Sequence, residues 1–390
     1  MNSVLLSAAR TPIGSFMGSL SSLSAPQLGS IAIRAAIERA RVSPESIDEV
    51  FMGNVLTAGV GQAPARQAAI YAGLPHSVPC TTINKVCGSG LKAVQLADLA
   101  IRAGEAALVV AGGQESMSSA PYLLAKARSG YRLGNGELID SMVADGLWDV
   151  YNKFHMGSAG ELCAEECNFT REAQDEFAIE SYKRALAAAE NGWFDAEIVP
   201  VEISDRKGKA LVTRDEEPLK ANFEKFASLK PAFKEGGTIT AANASSINDG
   251  AAALVIASEE YAASRGLKPL ARIIAQGGHA QAPERFTTAP AAAIGKILKK
   301  ANLTVEDIDL FEVNEAFSVV AMHSMREAGI PADKLNVCGG AVSLGHPIGA
   351  SGARILTTLL YSLLRLGKKR GLATLCIGGG EANAVIIETM

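Results

Sequence analysis

The sequence predicts an α/β fold in which two related halves are layered as helices and sheets. Two short apolar runs, residues 106–111 and 373–377, have the length and composition of central strands covered on both faces. Each run leads into glycines and follows a helical segment that opens behind a glycine-rich turn. Strands that alternate with helices in this way are typical of layered α/β proteins.

An internal duplication is the second observation behind this fold class. Three pairs of segments correspond in order: residues 45–54 with 306–314, residues 87–90 with 349–352, and the Gly-Gly pairs at 112–113 and 378–379. The offset between partners lies between 260 and 266 residues. A nearly constant offset over several ordered elements predicts that both halves share one supersecondary plan.

Length, composition and charge limit the classes of function that the chain can have. At 390 residues the chain is long enough for two or three domains. Its 48% hydrophobic and 20% charged residues are normal for a soluble globular protein. A net charge of -4 provides no basic field to neutralise phosphates, and no apolar run has the length of a membrane span. We therefore expect neither a nucleic-acid partner nor a membrane partner.

The chain start and the cysteines indicate the compartment. The N-terminal residues lack a basic region and a long apolar run, so we predict a first strand and a turn at residues 10–12 instead of a signal peptide. Six scattered cysteines do not form a dense disulfide framework, which favours a reducing, cytoplasmic location. Cys163 and Cys167 lie four residues apart without a nearby histidine, so we interpret them as packing or surface thiols.

The middle of the chain has a different character. Residues 119–246 are more polar and rich in loop signals, with one helix predicted from an N-cap at Thr170 to about Ala189. We interpret this stretch as an insertion that shapes a substrate site. The predicted domains are an N-terminal half (1–118 with 247–269), an inserted loop domain (119–246) and a C-terminal half (270–390).

Cys87 lies in the glycine-rich turn of the first half. A helix predicted from Leu91 to Ile101 and closed by Gly104 follows it, so the thiol lies at a helix N-terminus. Free N–H groups and the helix dipole favour a thiolate there. A small buried cysteine in a packing turn is the alternative interpretation.

Three groups in the second half have comparable settings. His346 lies in a turn with five glycines among fourteen residues, and histidine is the usual base that activates a thiol. Cys376 ends a buried strand, and Asn314 follows another strand, so both reach the edge where α/β sheets bind ligands. Core packing for Cys376 and a turn role for Asn314 are the alternatives.

In this order and spacing, these segments resemble the four catalytic motifs of thiolases. They are Asn84–Gly90, Asn314–Phe317, Gly345–Pro347 and Cys376–Gly380. The likeness covers the chain from Ala8–Gly14 onward, and His155-Met156-Gly157 resembles the motif of the short-chain, acetoacetyl-CoA type. The resemblance implies a duplicated five-layer αβαβα fold with an inserted loop domain that binds coenzyme A.

The resemblance also implies a role for each reactive group. Cys87 is the nucleophile that carries the acyl group, His346 activates it, and Cys376 removes the α-proton of acetyl-CoA or protonates the carbanion. His346 and a water held by Asn314 form one oxyanion hole. The backbone N–H groups of Cys87 and Gly378 form the second. This chemistry requires no cofactor, and coenzyme A enters as part of the substrate.

Coenzyme A contacts are implied for seven residues: Leu147, His155, Met156, Ala241, Ser245, Ala316 and Phe317. A basic clamp for its phosphates is not obvious, because Lys220, Lys225 and Lys230 fit a solvated charged face.

Two details resemble the mitochondrial-type short-chain subgroup, which also handles 2-methyl-branched substrates and binds potassium. They are the segment Tyr151–Lys153 and Phe286. The subgroup implies a potassium site at Tyr182, Ala241, Ala242, Ala244 and Val342. Glu381–Asn383 departs from the small or apolar residues that are usual after the last glycines.

The reaction implied is the reversible Claisen condensation of two acetyl-CoA, or thiolysis of acetoacetyl-CoA, by a homo-oligomer that is a dimer of dimers. A longer-chain or 2-methyl-branched 3-ketoacyl-CoA thiolase is the alternative. An acyl-carrier-protein condensing enzyme would be expected to lack Cys376. A non-catalytic acyl-CoA binding protein would have no reason to combine Cys87, His346, Asn314 and Cys376.

Overall fold

The computed structural model describes residues 2–205 and 208–390, arranged as a mixed α/β fold. The strands are β1 Ser3–Arg10, β2 Gly14–Ser15, β3 Glu49–Gly53, β4 Cys80–Ile83, β5 Leu108–Ser116, β6 Tyr122–Leu123, β7 Ile139–Asp140, β8 Trp148–Asp149, β9 Phe154–His155, β10 Val201–Asp205, β11 Gly208–Val212, β12 Asn248–Ser258, β13 Ala271–Ala280, β14 Leu310–Val313, β15 Arg370–Ile377 and β16 Glu381–Thr389. The helices are α1 Ala25–Ala40, α2 Pro64–Tyr71, α3 Ser89–Ala103, α4 Met156–Cys167, α5 Arg171–Glu190, α6 Glu259–Ser264, α7 Ala289–Ala301, α8 Ser318–Ala328, α9 Ala341–Leu344 and α10 Ser351–Leu366.

One large sheet contains the main strands of both halves. Its order is β14-β15-β16-β13-β1-β12-β5-β3-β4, and β2 pairs with β12. The halves join where β1 meets β13, through only two residue pairs, Val4 with Arg272 and Leu5 with Ala271. The first four strands outward from this junction follow the same order in both halves, as the duplication predicts, and β4 adds a fifth strand to the first half.

The helices turn this sheet into five layers. Helices α1 and α2 pack on the outer face of the first half, and α7 and α8 pack on the outer face of the second. Helices α3 and α10 lie between the two half-sheets, where Leu91 and Leu356 share one apolar core with strand residues of both halves. The predicted five-layer αβαβα fold is therefore confirmed.

The structural repeat is more regular than the sequence match. Glu49 pairs with Val109 in the first half, and Leu310 pairs with Gly371 in the second. The offset between equivalent residues is thus 261 in one strand and 262 in the next, so Gly378 corresponds to Ser116. The predicted match of the Gly-Gly pairs, with an offset of 266, is wrong because glycines mark strand ends without fixing their register.

Two aspartates fix the register at the far edge of each half. Asp48 Oδ2 accepts hydrogen bonds from the N–H groups of Ala107 (2.7 Å) and Leu108 (2.9 Å). Asp309 Oδ2 does the same for Lys369 and Arg370, both at 2.9 Å. Since each carboxylate lies before one strand and clamps the start of the next, both halves begin their parallel pair in the same register.

The central helices cross at a pair of equivalent glycines. A Cβ atom at Gly352 would lie 2.3 Å from the backbone nitrogen of Leu91. A Cβ atom at Gly90 would lie 2.8 Å from the backbone nitrogen of Ala353. The close approach therefore requires glycine on both helices. Leu99 of α3 is 48% exposed, because small residues such as Ala97 form much of the buried face of this helix.

Residues between β5 and β12 form short strands, α4, α5 and a hairpin of β10 and β11. Helix α5 begins where predicted, and Thr170 Oγ1 accepts the N–H of Ala173, a cap that stabilises a helix by about 1 kcal/mol. The domain bounds proposed from the sequence stay a prediction. None of the helices in the described residues is long and apolar enough to cross a membrane.

Candidate active site

A cavity of about 470 Å³ opens at the edge of the sheet where the glycine-rich turns meet. Both halves and the intervening segment line it. Ten of the residues selected as catalytic groups or coenzyme A contacts lie on its wall: Cys87, Leu147, His155, Met156, Ala241, Ser245, Ala316, Phe317, His346 and Gly378. The structure thus brings together residues that are up to 291 positions apart in the chain.

Cys87 reaches the cavity from a strained turn. Val86, just before it, has a φ of +46°, which a β-branched residue rarely adopts. Asn84 Oδ1 accepts the N–H of Val86 (3.0 Å), and Ser89 Oγ accepts the N–H of Lys85 (2.8 Å). Helix α3 begins at Ser89, so these bonds hold Cys87 at its N-terminus against the strain.

Burial dominates the electrostatics of the nucleophile. It raises the pKa of the Cys87 thiol to about 11, with a further increase from the charge of Glu115. Hydrogen bonding from backbone N–H groups, including that of Gly378, acts in the opposite direction but is weaker. Desolvation thus opposes the thiolate that the helix N-terminus favours. A base has to remove the proton when substrate is bound.

His346 is held in one orientation by polar contacts on both sides. Its backbone N–H donates to Asn248 Oδ1 (2.8 Å), and its Nδ1 lies 2.6 Å from Ser351 Oγ. The Ser351 hydroxyl donates to the carbonyl of Pro347 (2.8 Å), so it accepts a hydrogen bond from Nδ1–H. This assigns the proton to Nδ1 and leaves Nε2 with a free lone pair.

The His346 imidazole is neutral at neutral pH. His346 is 5% exposed, and burial lowers its pKa to about 3, with a smaller contribution from the positive charge of Arg354. Gly345 precedes it with a φ of +103°, and a Cβ there would meet the side chain of Asn248 at 2.4 Å. Glycine is therefore required for the turn that presents the histidine.

Asn314 lies beside this histidine at the end of β14. Its Nδ2 is 3.5 Å from both ring nitrogens of His346, too long for a strong hydrogen bond. The side chain is fully buried, and its Oδ1 has no hydrogen-bond partner among the residues that the structure describes. A buried amide oxygen of this kind fits the holding of a water molecule.

Cys376 is the deepest of the reactive groups. It ends β15, is fully buried, and packs in an apolar cluster with Met156, Phe317 and Cys163. Burial raises its pKa well above the ordinary value, and the proximity of Cys87 raises it further. Gly378, two residues further along, directs its backbone N–H at Cys87. The two thiols are therefore close to one another, with Cys87 on the cavity wall and Cys376 buried behind it.

Aromatic rings build the outer part of the cavity. His155 stacks on Phe233, with ring centroids 4.9 Å apart, and Phe233 packs edge-on against Phe317 at 6.1 Å. The N–H of Gly157 donates to His155 Nδ1 (3.1 Å), which places the ring proton on Nε2. His155 can thus donate a hydrogen bond to a polar group in the cavity.

The segment that contains Ala241 and Ser245 is anchored on its inner side. Asn243 Oδ1 accepts the N–H of Thr240 (2.8 Å), and its Nδ2 donates to Asp175 (2.8 Å). The N–H of Ser245 donates to the carbonyl of Ala316 (3.0 Å). The small side chains of Ala241 and Ser245 remain on the cavity wall, where a long thin substrate can approach closely.

The residues selected for potassium lie next to the cavity. Tyr182, Ala242 and Val342 pack in one cluster, while Ala241 and Ala244 line the cavity itself. Burial raises the pKa of Tyr182 to about 12, with contributions from the carboxylates Glu217 and Glu315. A negative potential around a phenol and neighbouring carbonyl groups fits a monovalent cation. The geometry of coordination stays a prediction.

Several residues on the wall were missed by sequence reasoning. They are Phe16, Met117, Glu217, Phe233, Ile247 and Ile348, together with Lys220. Lys220 was interpreted as part of a solvated face; its side chain is 58% exposed, yet it lines the cavity and contacts Ser15. Except for Ile348, which lies in the glycine-rich turn of His346, these residues lie outside the glycine-rich motifs, so the sequence offers no local signal for them.

Comparison with known proteins gives a consistent result. Residues 3–260 match the family model for the thiolase N-terminal domain, and residues 267–389 match that for the thiolase C-terminal domain. Acetyl-CoA acetyltransferase 1 of Arabidopsis thaliana is 54% identical, with 99% of this chain and 94% of that protein covered. The acetyl-CoA acetyltransferase of Escherichia coli K12 is 53% identical, with coverage of 100% and 99%.

A solved structure shows the same fold. The crystal structure of the Acat5 thiolase from Ascaris suum in complex with coenzyme A superposes with a TM-score of 0.95. It is 44% identical in sequence, and the comparison covers both chains completely.

Proposed function

This chain belongs to the thiolase family, and from that premise we propose the following catalytic cycle for it as an acetyl-CoA C-acetyltransferase. The reaction is the condensation of two acetyl-CoA to acetoacetyl-CoA and coenzyme A, and its thiolytic reverse. The observation that carries the proposal is the single cavity where Cys87 and Gly378 lie with His346, beside buried Cys376 and Asn314.

Acyl transfer to Cys87 is the first step. His346 Nε2, which has a free lone pair, accepts the thiol proton as Cys87 attacks the carbonyl carbon of acetyl-CoA. The backbone N–H groups of Cys87 and Gly378 stabilise the tetrahedral oxyanion. Collapse breaks the thioester bond, and the leaving coenzyme A thiolate takes the proton of Cys376. Acetyl-Cys87, a Cys376 thiolate and a protonated His346 result.

Carbon–carbon bond formation is the second step. The Cys376 thiolate removes the α-proton of a second acetyl-CoA, and its raised pKa makes it a strong base for this purpose. Protonated His346 and a water on Asn314 stabilise the enolate oxygen. The enolate carbon attacks acetyl-Cys87, and Cys87 leaves and recovers its proton from His346. All protons are returned, so the cycle needs no cofactor.

Binding of coenzyme A is assigned to the outer cavity. His155 Nε2–H and the backbone around Ser245 offer polar contacts for the amide groups of the pantetheine arm, and Met156 and Phe317 offer apolar ones. The stacked ring of Phe233 fixes His155 from behind. This division, with apolar walls and a few oriented polar groups, is typical of ligand sites.

Potassium is a further part of the proposal. A bound potassium ion would supply a fixed positive charge near the coenzyme A segment. The chain's own contribution is to hold residues 241–244 against Tyr182 and Val342, which supports the loop that faces the substrate.

The assembly and location also remain proposals. Apolar side chains in residues 122–138 are exposed, including Leu133 and Leu138, which supports association into a dimer of dimers. All six cysteines are free thiols in the structure, the state expected in a reducing cytoplasm.

A second candidate is a thiolase for longer or 2-methyl-branched 3-ketoacyl-CoA. The observation that favours it is Phe286, which lies buried on the cavity wall next to Met156. Turnover of acetoacetyl-CoA, 2-methylacetoacetyl-CoA and 3-ketohexanoyl-CoA by the same preparation would rank the two candidates.

The test is thiolysis of acetoacetyl-CoA by the purified protein beside Cys87→Ser, in sodium and then potassium salts. We expect Cys87→Ser to lose about 10³-fold or more in kcat, because a serine hydroxyl is a far weaker nucleophile. Cys338→Ser, a buried thiol outside the cavity, is the matched control. A gain specific to potassium would support the ion site.

Two results would count against the proposal. Binding of acetoacetyl-CoA without turnover would indicate a non-catalytic binding protein. Equal activity in Cys87→Ser and in the unmodified protein would exclude the acetyl-Cys87 intermediate.

A further inference from the structure

Glu115 is a fully buried carboxylate directly behind the cavity. It lies near the end of β5, one residue before the strand ends and two before Met117, which lines the cavity. None of the roles in the proposed cycle uses it. A carboxylate at 0% exposure is costly unless its oxygens are hydrogen-bonded, so its surroundings have to be accounted for.

Four hydrogen bonds reach Glu115 from two separate parts of the chain. Oε1 accepts from Asn54 Nδ2 (2.7 Å) and from the N–H of Leu56 (3.2 Å). Oε2 accepts from the N–H of Val55 (3.0 Å) and from the N–H of Gly349 (2.9 Å). The carboxylate therefore ties the segment after β3 to the turn that presents His346.

The tethered segments form the wall around the nucleophile. Val55, Leu56, Met117 and Ile348 belong to one apolar cluster that packs against Cys87. Ile348, which precedes Gly349, also lines the cavity. A Cβ added at Gly146 would lie 3.0 Å from Ile348 and 3.3 Å from Leu56, so this wall is closely packed. Movement of either segment would enlarge the space next to the reacting thiol.

We propose that Glu115 is a positioning residue that holds this wall closed and thereby restricts the enzyme to short acyl chains. The inference rests on the proposed function, since it concerns the acyl group carried by Cys87. Glu115 touches neither substrate nor reacting atoms in this account. It acts on Leu56 directly, by accepting its backbone N–H. It acts on Ile348 through the next residue, Gly349, whose N–H it also accepts.

The equivalent place in the second half shows why a carboxylate matters. With the offset of 262, Glu115 corresponds to Ile377 and Gly349 corresponds to Cys87. Ile377 packs with an apolar contact against the turn before α3, since its Cδ1 lies 2.4 Å from a Cβ built at Gly88. An apolar contact leaves a turn free to shift, whereas the carboxylate fixes three backbone N–H groups at once.

The experiment compares Glu115→Gln with the unmodified enzyme. A glutamine would direct its NH₂ group at backbone N–H donors, so at least one pair of hydrogen bonds is lost. We expect the ratio of kcat/KM for acetoacetyl-CoA over 3-ketohexanoyl-CoA to fall about fivefold or more. The KM for coenzyme A should change less than about twofold, because the outer cavity is untouched.

Asp309→Asn is the matched control. Asp309 also accepts two backbone N–H bonds that set strand register, but at the far edge of the sheet. It should reduce the melting temperature and leave the chain-length ratio unchanged. An unchanged ratio in Glu115→Gln, with a fall in stability like that of the control, would overturn the inference. No turnover by the unmodified enzyme would instead overturn the proposed function.

Glu115→Asp provides a second test that also serves if Glu115→Gln fails to fold. It keeps the charge but shortens the reach, so the chain-length ratio should fall as well. The charge of Glu115 raises the pKa of Cys87, so its removal should accelerate alkylation of Cys87 by iodoacetamide at pH 8. That acceleration is expected in Glu115→Gln only, because Glu115→Asp keeps the carboxylate charge, while the other titratable groups near Cys87, His346 and Cys376, are the same in both variants. Retention of full selectivity in Glu115→Asp would contradict the inference.

Discussion

The glycine-rich turns before α3 and α10 occupy equivalent places in the two halves but present different groups. With the offset of 262, Cys87 corresponds to Gly349, and Asn84 corresponds to His346. In the proposed cycle, the first turn offers a nucleophile without a base, and the second offers a base without a nucleophile. Because the turns meet at one cavity, the two halves complete each other.

The strand ends show the same division. Cys376 near the end of β15 corresponds to Gln114 near the end of β5, and Gln114 Nε2 donates to the carbonyl of Pro64 (3.2 Å) and to Asn54 Oδ1 (3.5 Å). Its neighbour Glu115 ties backbone segments together. In the proposed cycle, one half therefore uses this position for acid–base chemistry, and the other uses its neighbour for support. The duplicated fold supplies two equivalent sets of positions, and function comes from filling them differently.

The largest effect should follow from giving the second turn the residue of the first. His346→Asn places at position 346 the residue type found at the equivalent position 84. We expect kcat/KM for acetoacetyl-CoA thiolysis to fall about 10³-fold, because an amide cannot accept the thiol proton. Initial rates at saturating coenzyme A would measure it.

His279→Asn is the control for His346→Asn. His279 lies on β13, its Nε2 is 3.0 Å from Gln281 Oε1, and it does not line the cavity. It should keep its rate within about twofold. A loss of less than tenfold in His346→Asn would indicate that another group deprotonates Cys87.

The crossing of α3 and α10 tests whether the halves are equivalent in packing as well as in position. Gly352→Ala and Gly90→Ala should each lower the free energy of unfolding by about 2 to 3 kcal/mol, because the added Cβ meets backbone atoms. Chemical denaturation would measure this. Gly295→Ala on α7 is the control, since a Cβ there meets nothing within 4 Å. Similar stability in all three variants would contradict the close approach.

The smallest effect concerns the two thiols, one from each half. Iodoacetamide should label Cys87, which lines the cavity, well before the fully buried Cys376. Since the raised pKa of Cys87 is about 11, its thiolate fraction, and hence the labelling rate, should rise about tenfold per pH unit from pH 7 to 10. Peptide mapping by mass spectrometry would follow both sites. A labelling rate that levels off below pH 9 would mean that the pKa of the Cys87 thiol is not raised.

Cys87 and His346 were predictable because each lies in a turn whose glycines exceed the needs of packing, and Asn314 and Cys376 because they lie at strand ends. Gly378 was selected from the resemblance to thiolase motifs, and Cys87, His346 and Gly378 line one cavity. The fold class followed from apolar runs and the duplication, and five layers are found. Roles for these residues stay predictions until variants are measured.

What could not be predicted depends on long-range geometry. Phe233 lies 78 residues from His155 in sequence and has no motif around it, yet their rings stack. Glu115 looks like any polar residue after a strand, and only the fold shows that Gly349 donates to it. Matching the Gly-Gly pairs at 112–113 and 378–379 gave an offset four residues larger than the structural one. The register of β5 is set by the Asp48 carboxylate and not by the glycines.

The first strand of the chain, β1, lies in the middle of the sheet. It pairs with β12 and β13, so the backbone of Val4 can pair with its neighbouring strands only after Ala257 and Arg272 have been synthesised. During synthesis on a ribosome, an apolar segment therefore remains without its neighbours until about two-thirds of the chain has emerged, and such non-local pairing is slow. The nascent protein has to be shielded from aggregation over that interval, which makes chaperone supply and translation speed determinants of its yield.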